Sequence, residues 1–246
     1  MLSPEELKRY DRQMIIPGFG EHGQEKIKNA RVVIAGAGGL GSPAALYLAA
    51  AGVGHIRLID SDVVELSNLN RQVLHWQKDI GRKKVESASE KLAAMNPNIH
   101  IEPIYENINE NNVEKLVSGC DVIVDAMDNL NTRLLINRVA VKFNIPFVHG
   151  AVYGLEGHVM TVIPHASACI RCLYKATPPR HKFPVLVTTP ALIASVQATE
   201  TIKILTGIGT LLTNRLLVYD GASMKFTVLQ LQRDADCEVC GNPLKT

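Results

Sequence analysis

From residue 31 onward, short apolar runs alternate with longer amphipathic ones. RVVIAG (31–36), HIRLID (55–60), IHIEPIY (99–105), CDVIVDAMD (120–128) and IPFVHGAV (145–152) are brief and apolar, which predicts strands, several of them buried on both faces. Between them, residues 40–51 are rich in Ala and Leu and predict a helix packed closely on a sheet. GRKKVESASEKLAAMN (81–96) has helical periodicity, with Val85, Ala88, Leu92 and Met95 on one side and Pro97 just past its end. Further helices are predicted over 109–117 and 130–144. Strands alternating with helices imply a mostly parallel sheet with right-handed crossovers.

After Gly154 the pattern changes. GHVMTVIP (157–164) predicts a strand with no crossover helix after it, and a loop rich in Pro and basic residues follows over 175–184. Residues 188–206 predict a helix ending at Gly207. RLLVYDG (215–221) and SMKFTVLQLQ (223–232), split by a Gly-containing turn, predict an antiparallel hairpin that extends the sheet. At the start of the chain, Ser3, Pro4 and Glu6 make a helix N-cap with proline in the first turn. There is no internal repeat, low-complexity tract or interdomain linker.

The 246 residues are 46% hydrophobic and 20% charged, enough apolar material for a core and not the composition of a disordered chain. A net charge of +2 gives no electrostatic case for nucleic acid or a membrane surface. No apolar run approaches a membrane span, and MLSPEELKRYDRQ lacks the features of a secretory signal. A cytoplasmic protein is the expectation.

GAGGLG (36–41) joins the first strand to the first helix and places Gly36, Gly38 and Gly41 in a G-x-G-x-x-G pattern. Such a loop turns sharply and lets the backbone approach a phosphate at a helix N-terminus. Asp60 closes the next strand nineteen residues after Gly41, where a ribose-binding carboxylate belongs. The expected architecture is therefore α/β: a Rossmann-like, mostly parallel sheet with helices on both faces and antiparallel strands added at its C-terminal side. To this point an NAD-dependent dehydrogenase fits.

The residues after Asp60 change the ligand. DSDVVELSNLNRQ (60–72) carries Asn68 and Arg71, and Lys84 follows in the first helical turn, where the helix dipole disfavours a cation. A nicotinamide does not need them; a triphosphate does. Taken singly, each basic residue reads as a solvated surface charge, and Asp62 and Glu65 read as exposed turn residues. Asp125 and Asp128 in DAMDN end a strand at the sheet edge where open α/β folds bind ligands, and a carboxylate there suits Mg²⁺. Asp128 or Asn129 serves equally well as N-cap of the following helix.

Four of the five cysteines form two Cys-x-x-Cys pairs, Cys169/Cys172 and Cys237/Cys240, with 64 residues between the pairs. In a reducing compartment this pattern predicts a tetrahedral Zn²⁺ with four thiolates, closed and structural. Cys120 reads as a buried small hydrophobe.

Together, GAGGLG, Asp60 with DVVELSNLNRQ, KKVESA (83–88), DAMDN (125–129), RYDRQMII (9–16) and VQATETIKILTGIG (196–209) resemble the ThiF/MoeB/HesA family, prokaryotic relatives of ubiquitin-activating E1 enzymes. The resemblance runs over nearly the whole chain. It implies one adenylation domain over 1–246, with N-terminal helices (1–29), a nucleotide-binding core (30–152) and a C-terminal extension (153–246). It implies use of ATP and Mg²⁺ to adenylylate the C-terminal glycine of a small ubiquitin-like sulfur carrier ending in Gly-Gly, serving thiamin, molybdopterin or another sulfur pathway. By position, Gly39 and its loop, with Asn129, contact the nucleotide and Asp60 holds the ribose. Asn68, Arg71 and Lys84 contact phosphates, Asp128 binds Mg²⁺, and Arg12 reaches the triphosphate from the second subunit of a homodimer. Arg12, Arg71, Lys84 and Asp128 are thereby the expected catalytic set.

One departure stands out. Many relatives of this type carry a reactive cysteine before the late helix, whereas KATPPRHKFPVLVTTP (175–190) has none. The expectation is an enzyme that stops at the acyl-adenylate. His181 and Lys182 in that loop are either substrate-tail contacts or exposed residues. The alternatives to a carrier protein are a small-molecule or tRNA-borne carboxylate, an oxidoreductase, and a binding module without catalysis.

Overall fold

The computed structural model describes residues 1–175 and 184–241, so His181 and Lys182 lie outside the described residues. Strands β1 (Arg31–Ala35), β2 (His55–Ile59), β3 (His100–Ile104), β4 (Val122–Asp125) and β5 (Phe147–Tyr153) pair in parallel. β6 (Glu156–Val162), β7 (Arg215–Asp220) and β8 (Lys225–Gln230) continue the same sheet antiparallel. The order is β3-β2-β1-β4-β5-β6-β7-β8. The parallel half and the C-terminal antiparallel strands match the expected architecture. The direction changes at the turn through Gly154 and Leu155, where β5 and β6 form a hairpin that needs no crossover helix.

The helices are α1 (Pro4–Arg9), α2 (Asp11–Met14), α3 (Gly20–Asn29), α4 (Gly41–Ala51), α5 (Lys84–Met95), α6 (Val113–Val117), α7 (Leu130–Lys142), α8 (Ile170–Leu173) and α9 (Thr188–Thr206). Ser3 caps α1 as expected: its Oγ accepts from the Glu6 N–H at 3.2 Å, and Glu6 returns a carboxylate to the Ser3 N–H at 2.7 Å.

Because side chains alternate across a strand, β1 feeds both faces. Val32 and Ile34 join a core with Leu48 of α4, Leu92 of α5 and Ile193 of α9. Val33 and Ala35 join a second core with Val117 of α6, Ile136 and Val139 of α7, and Ile170 of α8. A central strand buried on both sides is what places α4 and α7 on opposite faces of the sheet.

The connection from β2 to α5 is long and polar, and one buried charge organises it. Asp79 is fully buried; its carboxylate accepts from Lys91 Nζ at 2.6 Å, Arg82 Nη1 at 2.8 Å and the Trp76 N–H at 2.8 Å. Burial opposes its ionisation, but the Lys91 ammonium, the Trp76 N–H and the Arg82 guanidinium hold its pKa at about 2, against 3.8 for an ordinary Asp. A depressed native pKa stabilises the fold above the ordinary value, and the gain disappears as pH falls through the native one. Asp79→Asn should therefore cost about 2 kcal/mol at pH 7. The difference from the parent protein in denaturant unfolding should narrow steadily below pH 4; a gap independent of pH would show that the Asp79 charge does not stabilise the connection.

Candidate active site and metal centre

Chain order reverses at β1: β2 lies on one side and β4 on the other, so the loops leaving their C-terminal ends part. A cleft of about 670 Å³ opens there, lined by the Gly36–Leu40 loop, Asp60 to Asp62, Arg71, Gln72, Lys84, Ala126 to Asn129 and Arg133, and closed by Val152, Val185 and Pro190.

Two of the loop's glycines are required by the protein itself. A Cβ on Gly41 would lie 1.8 Å from the Gly36 carbonyl oxygen. A Cβ on Gly36, which has φ +108°, would lie 2.5 Å from the Ala126 carbonyl oxygen. Gly38 and Gly39 are different: a Cβ on Gly38 would meet Gln72 Nε2 at 3.6 Å, and one on Gly39 would meet Arg71 Cγ at 3.5 Å and Pro190 Cβ at 3.6 Å, ordinary contact distances. Internal packing does not explain those two, and their bare backbone faces the cleft, as close approach by a ligand requires.

Ala37 anchors the loop. Its N–H donates to Asp60 Oδ2 at 2.7 Å, and its carbonyl accepts from Ser42 Oγ at 2.9 Å and from His75 Nε2 at 3.0 Å. Burial pushes the His75 pKa down, so the ring is neutral: Nε2–H donates to Ala37 and Nδ1 accepts from Ser87 Oγ at 3.0 Å. His75 thus ties the glycine loop to α5.

Asp60 lies at the cleft with its carboxylate also accepting from the Asp62 N–H at 2.8 Å. Burial raises its pKa, against the nearby Lys84 charge and the two backbone donors. Lys84 is buried at the start of α5, and its Nζ donates to Asp62 Oδ2 at 2.7 Å; the Lys84 side chain is 7% exposed and that of Asp62 66%. Asp62, read from the sequence as a plain turn residue, is therefore the partner that orients the cleft's buried cation. Arg71 extends over Gly39, with Nη1 donating to the Ser67 carbonyl at 2.8 Å and to Asn70 Oδ1 at 3.0 Å. Asn68 is buried but does not line the cleft; its Oδ1 accepts from the Glu65 N–H at 3.0 Å, closing the turn that precedes Arg71.

On the opposite wall, Asn129 caps α7, its Oδ1 accepting from the Thr132 N–H at 2.9 Å. That resolves the two capping options and leaves the exposed Asp128 carboxylate facing the cleft. Arg133, not anticipated from the sequence, lines the same wall with Nε donating to the Met127 carbonyl at 3.0 Å. Gln72 was missed as well: it is buried at the cleft with Oε1 lacking a hydrogen-bond partner among the described residues, an acceptor suited to a ligand's N–H or O–H. Arg12 sits exposed on α2 and outside the cleft lining.

Cys169, Cys172, Cys237 and Cys240 converge, with all four Sγ atoms within 4.8 Å of one another. Cys169 and Cys237 are 3.8 Å apart at sulfur, Cys172 and Cys240 3.4 Å. Tetrahedral Zn–S bonds place sulfurs about 3.8 Å apart, whereas a disulfide requires about 2 Å. The donor set therefore suits Zn²⁺. Asn137 of α7 strengthens the fit: it is fully buried, its Oδ1 accepts from the Ile170 N–H at 3.2 Å, and its amide nitrogen, without another partner among the described residues, lies against Cys169 as a donor to a thiolate. Cys120 stands apart, half-buried just before β4, its thiol donating to the Val117 carbonyl at 3.1 Å and pushed by burial to a pKa of about 12.

The sequence profile of the ThiF family matches residues 10–239. A SAMP-activating enzyme E1 of Haloferax volcanii is 43% identical over 98% of this chain and 91% of its own length. A sulfur carrier protein adenylyltransferase of Thermus thermophilus is 41% identical over 97% of this chain and 92% of its own length. Among solved structures, E. coli MccB with ATP superposes with a TM-score of 0.86 at 27% identity, covering 95% of this chain and 73% of that one.

The metal reading is open to direct measurement. Purified protein should hold about one zinc per chain, and Cys240→Ser should lose it together with several degrees of melting temperature. A zinc-free wild type with unchanged melting on chelation would show that the four cysteines are not a metal site.

Proposed function

The chain belongs to the ThiF family and is an adenylyltransferase-type enzyme, and from that premise we propose that it adenylylates the C-terminal glycine carboxylate of a small ubiquitin-like sulfur carrier. The observation that carries this reading is the convergence on one cleft of bare glycine backbone, the Asp60 carboxylate, the Arg71 and Lys84 cations and the Asp128 carboxylate. The names of the Haloferax and Thermus relatives supply the acceptor class.

In this reading the phosphates lie along the loop of Gly36, Gly38, Gly39 and Gly41 at the start of α4, where the dipole and free N–H groups favour an anion. Asp60 accepts from ribose hydroxyls, and Asn129 borders the nucleotide. A carrier carboxylate oxygen attacks the α-phosphorus; a new P–O bond forms while the bond to the bridging oxygen breaks, and pyrophosphate leaves with that electron pair. Both reactants are anions, so Arg71 and Lys84 lower their repulsion and stabilise charge on the departing pyrophosphate. Asn68 lies behind the cleft lining and would reach the same phosphates only through Nδ2, since the Glu65 N–H holds its Oδ1. Asp128 is the residue that would hold Mg²⁺, which when bound neutralises phosphate oxygens. Positioning and fixed charge supply most of the acceleration.

Arg12 completes the site from a second copy in a homodimer. Its exposed position outside its own chain's cleft, beside the exposed apolar Ile15 and Ile16, supports that role. The continuous sheet supports reading 1–246 as one adenylation unit with 153–246 as its extension. Among the described residues no helix is long and apolar enough to cross a membrane. The reaction ends at the acyl-adenylate: four cysteines belong to the metal site, and the Cys120 thiol, at a pKa of about 12, is a poor nucleophile at pH 7.

Pyrophosphate–ATP exchange tests the proposal. Exchange should require a ubiquitin-like carrier ending in Gly-Gly and yield no thioester conjugate; exchange supported only by a small acid would replace the acceptor, and NAD binding without ATP binding would overturn the reading. Arg71→Ala should lower exchange by about 100-fold or more with melting unchanged, because the side chain lies over Gly39 without supporting the core. Unchanged exchange would remove Arg71 from the site.

A further inference from the structure

A buried polar chain leads from the cleft wall toward the four cysteines, and the adenylylation chemistry has no use for it. Asp125, at the end of β4, and His149, on β5, are both fully buried, with Oδ2 and Nδ1 2.6 Å apart. His149 Nε2 lies 3.3 Å from the Tyr174 hydroxyl, and His158 Nε2, from β6, lies 2.8 Å from the same oxygen. Tyr174 follows α8, two residues beyond Cys172.

The protons of this chain have one consistent arrangement. Burial pushes the His149 pKa down, opposed by Asp125, and pushes that of His158 to about 3, so both rings are neutral. The Asp125 carboxylate only accepts, so His149 carries its proton on Nδ1 and leaves Nε2 as an acceptor. The Tyr174 O–H must then donate to His149 Nε2, and its oxygen accepts from His158 Nε2–H, with the Arg133 guanidinium as a further donor beside it.

Asp125 in turn holds the cleft wall. Its Oδ1 accepts from the Met127 N–H at 3.1 Å, its backbone carbonyl accepts from Gln197 Nε2 at 2.7 Å, and Arg133 Nε lies 3.7 Å from Oδ2 while donating to the Met127 carbonyl. Met127 is fixed at both its N–H and its C=O, and Asp128 comes next. We propose that Tyr174 is a positioning residue which, through His149 and Asp125, makes the geometry of the 126–129 wall depend on the four-cysteine site. The metal centre then does more than staple the C-terminal segment: it holds the hydroxyl that orients the far side of the nucleotide cleft. This inference rests on the reading of that cleft as a nucleotide site.

The experiment is a cycle of ATP affinity measured by calorimetry. Tyr174→Phe keeps the ring and removes the donor; it should retain full zinc and a wild-type circular dichroism spectrum, yet bind ATP five- to tenfold more weakly. Stripping zinc from the wild type should weaken ATP by a similar factor, and stripping it from Tyr174→Phe should add little. Wild-type affinity in Tyr174→Phe, or two losses that multiply, overturns the proposal. If the stripped protein unfolds, the cycle is run in zinc-loaded protein between Tyr174→Phe and His149→Asn, whose amide keeps the donor to Asp125 but cannot reach Tyr174. The two losses must again fail to multiply; independent losses overturn the link. If the wild type binds no ATP, the proposed function falls separately. The link is then judged by the ¹⁵N resonance of His149 Nε2, which must move in Tyr174→Phe and on zinc removal; a resonance that stays fixed on zinc removal refutes it.

Discussion

The cleft depends on one backbone contact: the start of α4 presses against the end of β1 with no side chain between them. The distance from Gly41 to the Gly36 carbonyl leaves no room for even a methyl group. This closeness sets the bare backbone of Gly38 and Gly39 at the sheet edge, at the point where chain order reverses. The loop cannot relax away from that position, because Ala37 is held through both its N–H and its C=O by groups from β1's neighbour and from the β2–α5 connection. On the proposed reading of the cleft, the geometry that meets the phosphates is built before they arrive, and little rearrangement opposes binding.

Charge placement follows a hierarchy that magnitudes decide. A cation in the first turn of a helix costs about 0.3–1 kcal/mol through the dipole. A charge-assisted hydrogen bond contributes about 1.5–3 kcal/mol. The bond to Asp62 therefore offsets the dipole cost at Lys84. The exposed side of that pair is the carboxylate, so an incoming phosphate can compete with Asp62 for the ammonium without burying a new charge. Asp79 is the opposite case: its two cations lie over a fully buried carboxylate, and nothing in the cleft reaches it.

What the sequence made legible was whatever leaves a local trace. Strand and helix periodicities, the glycine spacing and the paired Cys-x-x-Cys motifs carry their signal within a few residues. The same is true of Asp60, which follows from its register with the glycine loop. The hidden parts are contacts between distant segments. Asp62 reads as a turn residue until Lys84 folds back onto it, 22 positions later. His75 and His149 sit in apolar stretches and look like ordinary core histidines; only the packed structure gives each a polar partner on either ring nitrogen. Arg133 is one more charge on a helix until the Met127 carbonyl draws it to the cleft. The hairpin of β5 and β6 was not legible: the missing crossover helix falls after the 157–164 strand, and antiparallel pairing after a parallel run has no motif of its own.

The long excursion between β6 and β7 has a consequence for the order of events as the chain is made. Cys169 and Cys237 are 68 residues apart, and both ligands of the second pair come after β8. Closing a loop of that length costs conformational entropy that grows only with the logarithm of its span, so distance alone is no barrier. Sequence order is: the second cysteine pair emerges only when all eight strands of the described residues have already been synthesised. The parallel half can pair from its own neighbouring segments, while the segment bearing Tyr174 has to wait for the last strands. On the proposed link through Tyr174, a nascent chain would thus pass through a stage with its glycine loop formed and its far wall unbraced.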